Sequence, residues 1–231
     1  MPKKNLVDKH KYGHKPVHLV NGIPWPRINN VNEGPIEVPL KEQYMLRSMD
    51  YLDTPQARKI YEEQAEIIIN NQFKGIIDIG CRTGTTNDIL FELGYENYNY
   101  MGFDTSPEPI NYSNEVWEDF KNIEYRCASW EDKESIKVSF PVDCVIWSGV
   151  LLYQPERHLK LFDEITANFY NSPNAIIQEP ISNQKHWIEG LKLKTIEDDL
   201  HLYKEKYKEY KETIVDAEIF SGRRKIVFIR L

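Results

Sequence analysis

The chain has 231 residues, 41% of them hydrophobic and 12% aromatic, which fits one α/β domain with a modest extension and enough apolar side chains for a sizeable core. No apolar run approaches bilayer length and no apolar stretch of secretory type follows Met1-Pro2-Lys3-Lys4-Asn5, so a cytoplasmic protein with no membrane partner is expected. Five lysines (Lys3, Lys4, Lys9, Lys11, Lys15) against Asp8 give residues 1–18 a charge of +4; the net charge of −7 then leaves −11 on the rest, which argues against a duplex-DNA partner.

Residues 1–43 show no hydrophobic periodicity and contain Pro16, Pro24, Pro26, Pro35 and Pro39. They read as an irregular, partly disordered basic and proline-rich arm, with 44–231 as the domain proper. Trp25, between two prolines, is an apolar anchor for that arm. His10, His14 and His18 would align on a helix, but Gly13 and Pro16 oppose one, so they read as solvated and no metal is expected. Cys81, Cys127 and Cys144, an odd set without C-x-x-C spacing, suggest neither a disulfide framework nor a zinc site. Thr54 and Pro55 open a helix whose inward face is Ala57, Ile60, Tyr61, Gln64, Ala65 and Ile68. Strands are expected at 75–80, 98–103, 123–127, 142–147 and 175–178. Helices are expected at 85–93, 106–120, from Pro155 to Phe169, and after a capping box at Thr195–Asp198. Two β-rich runs, 212–220 and 225–231, close the chain around Ser221-Gly222. Alternating strands and helices imply a mostly parallel seven-stranded sheet covered on both faces. The last two strands are joined too tightly for a crossover, so one of them must be antiparallel.

The run Ile76-Ile77-Asp78-Ile79-Gly80-Cys81-Arg82-Thr83-Gly84-Thr85 is the most informative segment. An apolar strand ends in an acid and a glycine turn, a helix follows, and a second strand ends in Asp104, 20 residues after Gly84. This is the layout of a βαβ unit that holds a nucleoside, with turn N–H groups facing the ligand and the second carboxylate on the ribose hydroxyls. The dinucleotide pattern G-x-G-x-x-G fails at Arg82 and Thr85, which disfavours a nicotinamide dehydrogenase. The pattern D-x-G-x-G-x-G is met at Asp78, Gly80 and Gly84 and missed only at Arg82. No G-K-[ST] follows, so a P-loop is excluded.

At these residues the chain resembles the class I S-adenosylmethionine-dependent methyltransferases, a Rossmann-like family whose first motif is a hydrophobic strand followed by D/E-x-G-x-G-x-G. Val142-Asp143-Cys144-Val145-Ile146-Trp147-Ser148-Gly149-Val150-Leu151-Leu152-Tyr153 resembles the family's fourth strand and the segment after it. The closing pair of β-rich runs is similar to its final hairpin. The resemblance implies S-adenosyl-L-methionine as cofactor. It implies that Gly80 and Gly84, with Cys81 between them, let the backbone approach the methionyl part, and that Asp78 receives the ammonium end through water; Arg82, in place of the middle glycine, either points out of the turn or reaches the donor carboxylate. It places Asp104, next to Thr105, on the ribose. Ser129 and Trp130 stand where the family binds adenine, Trp130 as a stacking platform. Ser148 and Gly149 line the cleft near the methyl group. The bland alternatives are a solvated strand-end acid for Asp78, a helix cap for Asp104 and a core or edge tryptophan for Trp130.

Methyl transfer from a sulfonium is an in-line displacement. It needs a held donor, a desolvated acceptor and alignment rather than a covalent nucleophile. No catalytic residue is therefore assigned. Tyr153, His158, Glu179 and His186 could orient or deprotonate an acceptor, but each reads more simply as structural or solvated. The D-P-P-Y and N-P-P-[YF] signatures of amino-methylating DNA enzymes are absent after the fourth strand. The expectation is methyl transfer to oxygen or nitrogen of a small molecule. The alternatives are an RNA or protein acceptor docked through the basic arm, or a non-catalytic module that keeps the fold for binding or assembly.

Overall fold

The computed structural model describes residues 18–20, 23–25, 55–151, 158–180, 200–219 and 222–231. Within the expected arm, β1 (His18–Val20) and β2 (Ile23–Trp25) pair as a short antiparallel ladder. The packing of Trp25 and the capping box at 195–198 lie outside the described residues. The domain begins at helix α1 (Pro55–Asn70) and continues through β3 (Gly75–Ile79), α2 (Thr85–Glu92), β4 (Asn99–Asp104), α3 (Pro107–Val116), β5 (Ile123–Cys127) and β6 (Cys144–Ser148). Helix α4 (His158–Phe162) runs on into a π-helical stretch, Asp163–Phe169. Then come β7 (Asn174–Pro180), α5 (Leu200–Lys206), β8 (Glu209–Ile219) and β9 (Gly222–Arg230).

Seven strands form one sheet in the order β5-β4-β3-β6-β7-β9-β8. The pairs from β5 across to β7 are parallel, and β9 is antiparallel to both neighbours. The expected single reversed strand is thus the last one, inserted between β7 and β8. All five residues of β3 are buried, as a strand covered on both faces requires. Pleat alternation divides the core in two. Ile76, Tyr100, Cys144, Ile146, Ile176 and Phe228 pack with Ile60, Ala65 and Ile68 of α1 and with Ile89 and Leu90 of α2. On the other face Ile77, Ile79, Met101, Phe103, Val145, Trp147 and Ile177 pack with Phe162, Ile165 and Tyr203.

The element bounds differ from the sequence expectation mainly at ends. Helix α3 stops at Val116 rather than Phe120, where Trp117 and Phe120 turn in against Phe91 instead. The helix expected from Pro155 to Phe169 changes pitch midway, and Tyr170 N donates to Ile165 O at 2.9 Å, a five-residue step. Strand β8 starts three residues earlier than expected, with Glu209 paired to Arg230 across the ladder.

Strand order decides where a ligand fits. From β3 the chain steps outward to β4 and β5, then returns to β6 on the other side. The connections leaving β3 and β6 therefore diverge, opening a crevice at the carboxyl ends of these two strands, the usual ligand position in open α/β sheets.

Candidate functional site

Five expected site residues lie at that crevice on the turn after β3 or at its base. Gly80, Arg82 and Gly84 have φ values of +71°, +53° and +71°, so every second residue of the turn is left-handed. The glycines are fixed by neighbours as well as by φ. A Cβ on Gly80 would fall 2.3 Å from Val150 Cγ2, and one on Gly84 would fall 2.1 Å from Tyr125 Oη. Arg82 takes the same left-handed conformation without being glycine and is half-buried. Cys81 is buried beneath the turn, its Sγ 3.6 Å from Arg82 O, and burial pushes its thiol pKa well up.

The turn N–H groups do not point at a ligand as the sequence suggests. Gly80 N and Cys81 N both donate to Phe103 O, at 2.8 and 3.1 Å, and Gly84 N donates to Cys81 O at 2.8 Å. Arg82 N donates to Asp104 Oδ2 at 3.2 Å. The end of β4 ties the turn down and consumes these donors. Hydrogen bonds to an anionic ligand end then come from Thr83 N, from side chains or from the first turn of α2.

Asp78 is not a solvated acid. It is 3% exposed, and Tyr100 Oη donates to its Oδ2 at 2.6 Å. Its Oδ1 is buried and has no hydrogen-bond partner among the described residues. Desolvation pushes its pKa from 3.8 to about 7, with the Tyr100 hydrogen bond opposing and the charge of Asp104 adding to the rise. A buried carboxylate oxygen without a partner is costly, and it suits a cationic group of a ligand.

Asp104 ends β4 at the rim, half-buried. Its Oδ1 accepts from Ser106 N at 2.9 Å and its Oδ2 from Arg82 N at 3.2 Å. It thus bridges both loops of the crevice. It is not the helix cap: Ser106 occupies that position and makes no side-chain capping bond. A carboxylate has about four lone-pair sites, so one remains on each oxygen for a pair of vicinal hydroxyls. Thr105 beside it is exposed, and its carbonyl lies 3.6 Å from Cys127 Sγ.

After β5, Ser129 Oγ accepts from Glu131 N at 3.3 Å, holding a tight turn. Trp130 is half-buried against the second core, its ring centroid 6.5 Å from that of Trp147. Its Nε1 is buried with no partner among the described residues. Arg126 secures this segment through Ser135 O and Lys137 O, at 3.1 and 2.6 Å.

Ser148 and Gly149 sit across from Gly80 at the end of β6, where a Gly80 Cβ would lie 3.7 Å from Ser148 O. Gly149 has φ +64° and its N donates to Gln178 O at 2.7 Å. The following loop is pinned by Glu179, 1% exposed, whose Oε1 accepts from Val150 N and Leu151 N at 3.1 and 2.9 Å. His158 is buried with Nδ1 2.9 Å from Tyr203 Oη. Glu179 and His158 therefore have structural partners, while Tyr153 and His186 lie outside the described residues. Among the described residues no cluster of His, Cys, Asp or Glu could hold a metal, and no helix is long and apolar enough to cross a membrane.

Sequence reasoning missed three contributors. Tyr100 holds Asp78. Tyr125 fills the space beneath Gly84 and accepts from Asn87 Nδ2 at 3.0 Å. Gln64 bridges α1 to both Thr86 and Ser148. Only Gln64 left a signal, as the polar member of an otherwise apolar helix face.

A family model described as a methyltransferase domain matches residues 71–218. No curated protein matches the chain significantly in sequence. Similar solved structures include the methyltransferase domain of bacterial CtHen1-CN, with TM-score 0.58 and 16% identity over 76% of this chain and 100% of that one. The N-methyltransferase NodS from Bradyrhizobium japonicum WM9, in complex with S-adenosyl-L-homocysteine, gives TM-score 0.59 and 14% identity over 77% and 88% of the two chains. Magnesium protoporphyrin IX methyltransferase (ChlM) from Synechocystis PCC 6803 with bound S-adenosylmethionine gives 0.57 and 11% over 86% and 87%. At these identities the likeness is one of fold.

Proposed function

Because the chain belongs to the methyltransferase domain family, the class I S-adenosylmethionine-dependent enzymes, we propose that it methylates an oxygen or nitrogen of a small molecule, holding its donor between the carboxyl ends of β3 and β6. The observation that carries the donor placement is the pair of acids flanking the left-handed turn. Asp78 offers a buried oxygen without a partner, and Asp104 offers free lone pairs at the rim. When bound, S-adenosylmethionine supplies an electrophilic methyl group on a sulfonium.

The chain's own residues do the rest. Asp78 receives the ammonium and, once ionised beside it, holds it by charge. Asp104 accepts from the two ribose hydroxyls while its bonds to Arg82 N and Ser106 N keep it in place. Gly80 and Gly84 let the turn close onto Val150 and Tyr125, so that its backbone borders the methionyl chain, with Cys81 beneath the turn and Thr105 at the rim. Ser129 accepts from the adenine amino group and Trp130 covers the ring. Gly149 and the backbone of Ser148 form the wall beside the transferred methyl. Water exclusion and alignment provide the catalysis.

Two considerations support a small acceptor. The charge of −11 outside residues 1–18 opposes a polyanion,. Among similar folds, NodS is an N-methyltransferase and ChlM is named for magnesium protoporphyrin IX. The test is incubation of the full chain with methyl-labelled S-adenosylmethionine and a size-fractionated cell extract. Label in a fraction below about 1 kDa supports the proposal. Label in RNA or protein assigns the acceptor to those classes and gives the basic arm a docking role. Donor binding with no transfer to any fraction favours a non-catalytic module.

A further inference from the structure

Gln64 is fully buried on α1 and its amide touches both sides of the crevice. Thr86 Oγ1, at the start of α2, donates to Gln64 Oε1 at 2.8 Å. Gln64 Nε2 donates to Ser148 Oγ, at the end of β6, at 2.8 Å. The relay has a direction. With Thr86 giving its proton to the amide oxygen and the amide giving one to Ser148, the serine oxygen is used as an acceptor. Its own proton has no acceptor among the described residues.

Electrostatics say where that proton is needed. Four backbone N–H groups of the glycine turn are taken by Phe103 O, Cys81 O and Asp104. Asp78 and Asp104 flank the places proposed for the ammonium and the ribose, and Arg82 is the one cation among the named site residues; the carboxylate that accompanies the ammonium in an amino-acid ligand needs a donor of its own. A hydroxyl set to donate from the β6 side meets that need without adding a charge beside the reacting sulfonium.

We propose that Gln64 is a positioning residue that turns the Ser148 hydroxyl toward the carboxylate of the donor's amino-acid end. This rests on the donor placement proposed above. Gln64 selects for the carboxylate through Ser148 and touches no ligand itself.

The test uses calorimetry on the full chain with two probes: S-adenosylhomocysteine, and its analogue that lacks the carboxylate but keeps the amine. Ser148→Ala should weaken S-adenosylhomocysteine about tenfold, the scale of one hydrogen bond to a charged acceptor, and leave the decarboxylated analogue within about twofold. Gln64→Leu should show the same selectivity, and the double variant should be no weaker than either single one. Gln64→Glu, an acceptor only, takes the serine proton for itself and should also lose selectivity for the carboxylate. Equal losses on both probes, or no loss in Ser148→Ala, overturn the inference while leaving the donor site standing. If Gln64→Leu does not fold, Ser148→Ala and Gln64→Glu decide the question alone. If the unaltered chain fails to bind S-adenosylhomocysteine at all, the donor placement falls and this inference with it.

Discussion

Asp78 gives the sharpest energetic prediction. Its carboxyl is buried with one oxygen bonded to Tyr100 and the other without a partner among the described residues. Its pKa rises from 3.8 to about 7 on folding, chiefly through desolvation. Between these values the folded chain holds a proton that the unfolded chain has released. The contribution of this group to stability is therefore intact below about pH 4, declines as pH rises, and is fully lost above about pH 7. At about 1.4 kcal/mol per unit the full decline is about 4 kcal/mol, of which about 2.5 kcal/mol falls between pH 5 and pH 8. Asp78→Asn keeps an acceptor for Tyr100 and removes the titration. Urea unfolding of both proteins across pH 5–8, read as the difference in unfolding free energy, separates the effect of Asp78 from that of all other carboxylates. The wild type should lose about 2.5 kcal/mol relative to the variant over that range. A pH-independent difference would show that Asp78 is ionised in the free protein and that the burial argument is wrong.

Other outcomes follow from the same geometry. If an ammonium must meet ionised Asp78, donor affinity should rise about fivefold from pH 6 to pH 7 in the wild type and stay flat in Asp78→Asn, measured by calorimetry. Gly84→Ala places a methyl group 2.1 Å from Tyr125 Oη at a φ of +71°, so thermal and urea unfolding should show a loss of about 3 kcal/mol. Tyr125→Phe should not rescue it, because the ring atoms Cε1 and Cζ also lie within 2.7 Å. Arg82 is left-handed at φ +53°, so Arg82→Gly should be more stable than Arg82→Ala by about 1 kcal/mol. Trp130→Ala should weaken donor binding by about 1–3 kcal/mol if the ring covers adenine; unchanged affinity in a folded variant would leave Trp130 as a core residue against Trp147.

Most of the frame was legible because each signal was local. Apolar runs marked β3, β4 and β6, and the short link at Ser221-Gly222 required a reversed strand. The left-handed turn was legible at Gly80 and Gly84, where only glycine suits the backbone. It was illegible at Arg82, where the tertiary frame imposes glycine-like geometry on another residue. The burial of Asp78 was also hidden, since it depends on Tyr100 arriving across the sheet from β4 and on α1 covering that face. The direction of the turn N–H groups was misread for a related reason: Phe103 O, at the end of a neighbouring strand, competes for them. Asp104 stood out by its spacing, but its bonds to both loops could be seen only in three dimensions. The acceptor was unreadable because Tyr153, His158, Glu179 and His186 are single residues without a recurrent spacing, and Glu179 and His158 have structural partners.

Titration of S-adenosylhomocysteine into the full chain, alongside Asp104→Ala checked for folding by circular dichroism, addresses the donor site most directly. One saturable site is expected in the wild type. The alanine variant should bind ten- to a hundredfold more weakly, as hydrogen bonds of about 1.5–3 kcal/mol each to a charged carboxylate are lost. No binding by the wild type, or equal binding by the folded Asp104→Ala variant, would contradict the assignment of this crevice as the donor site.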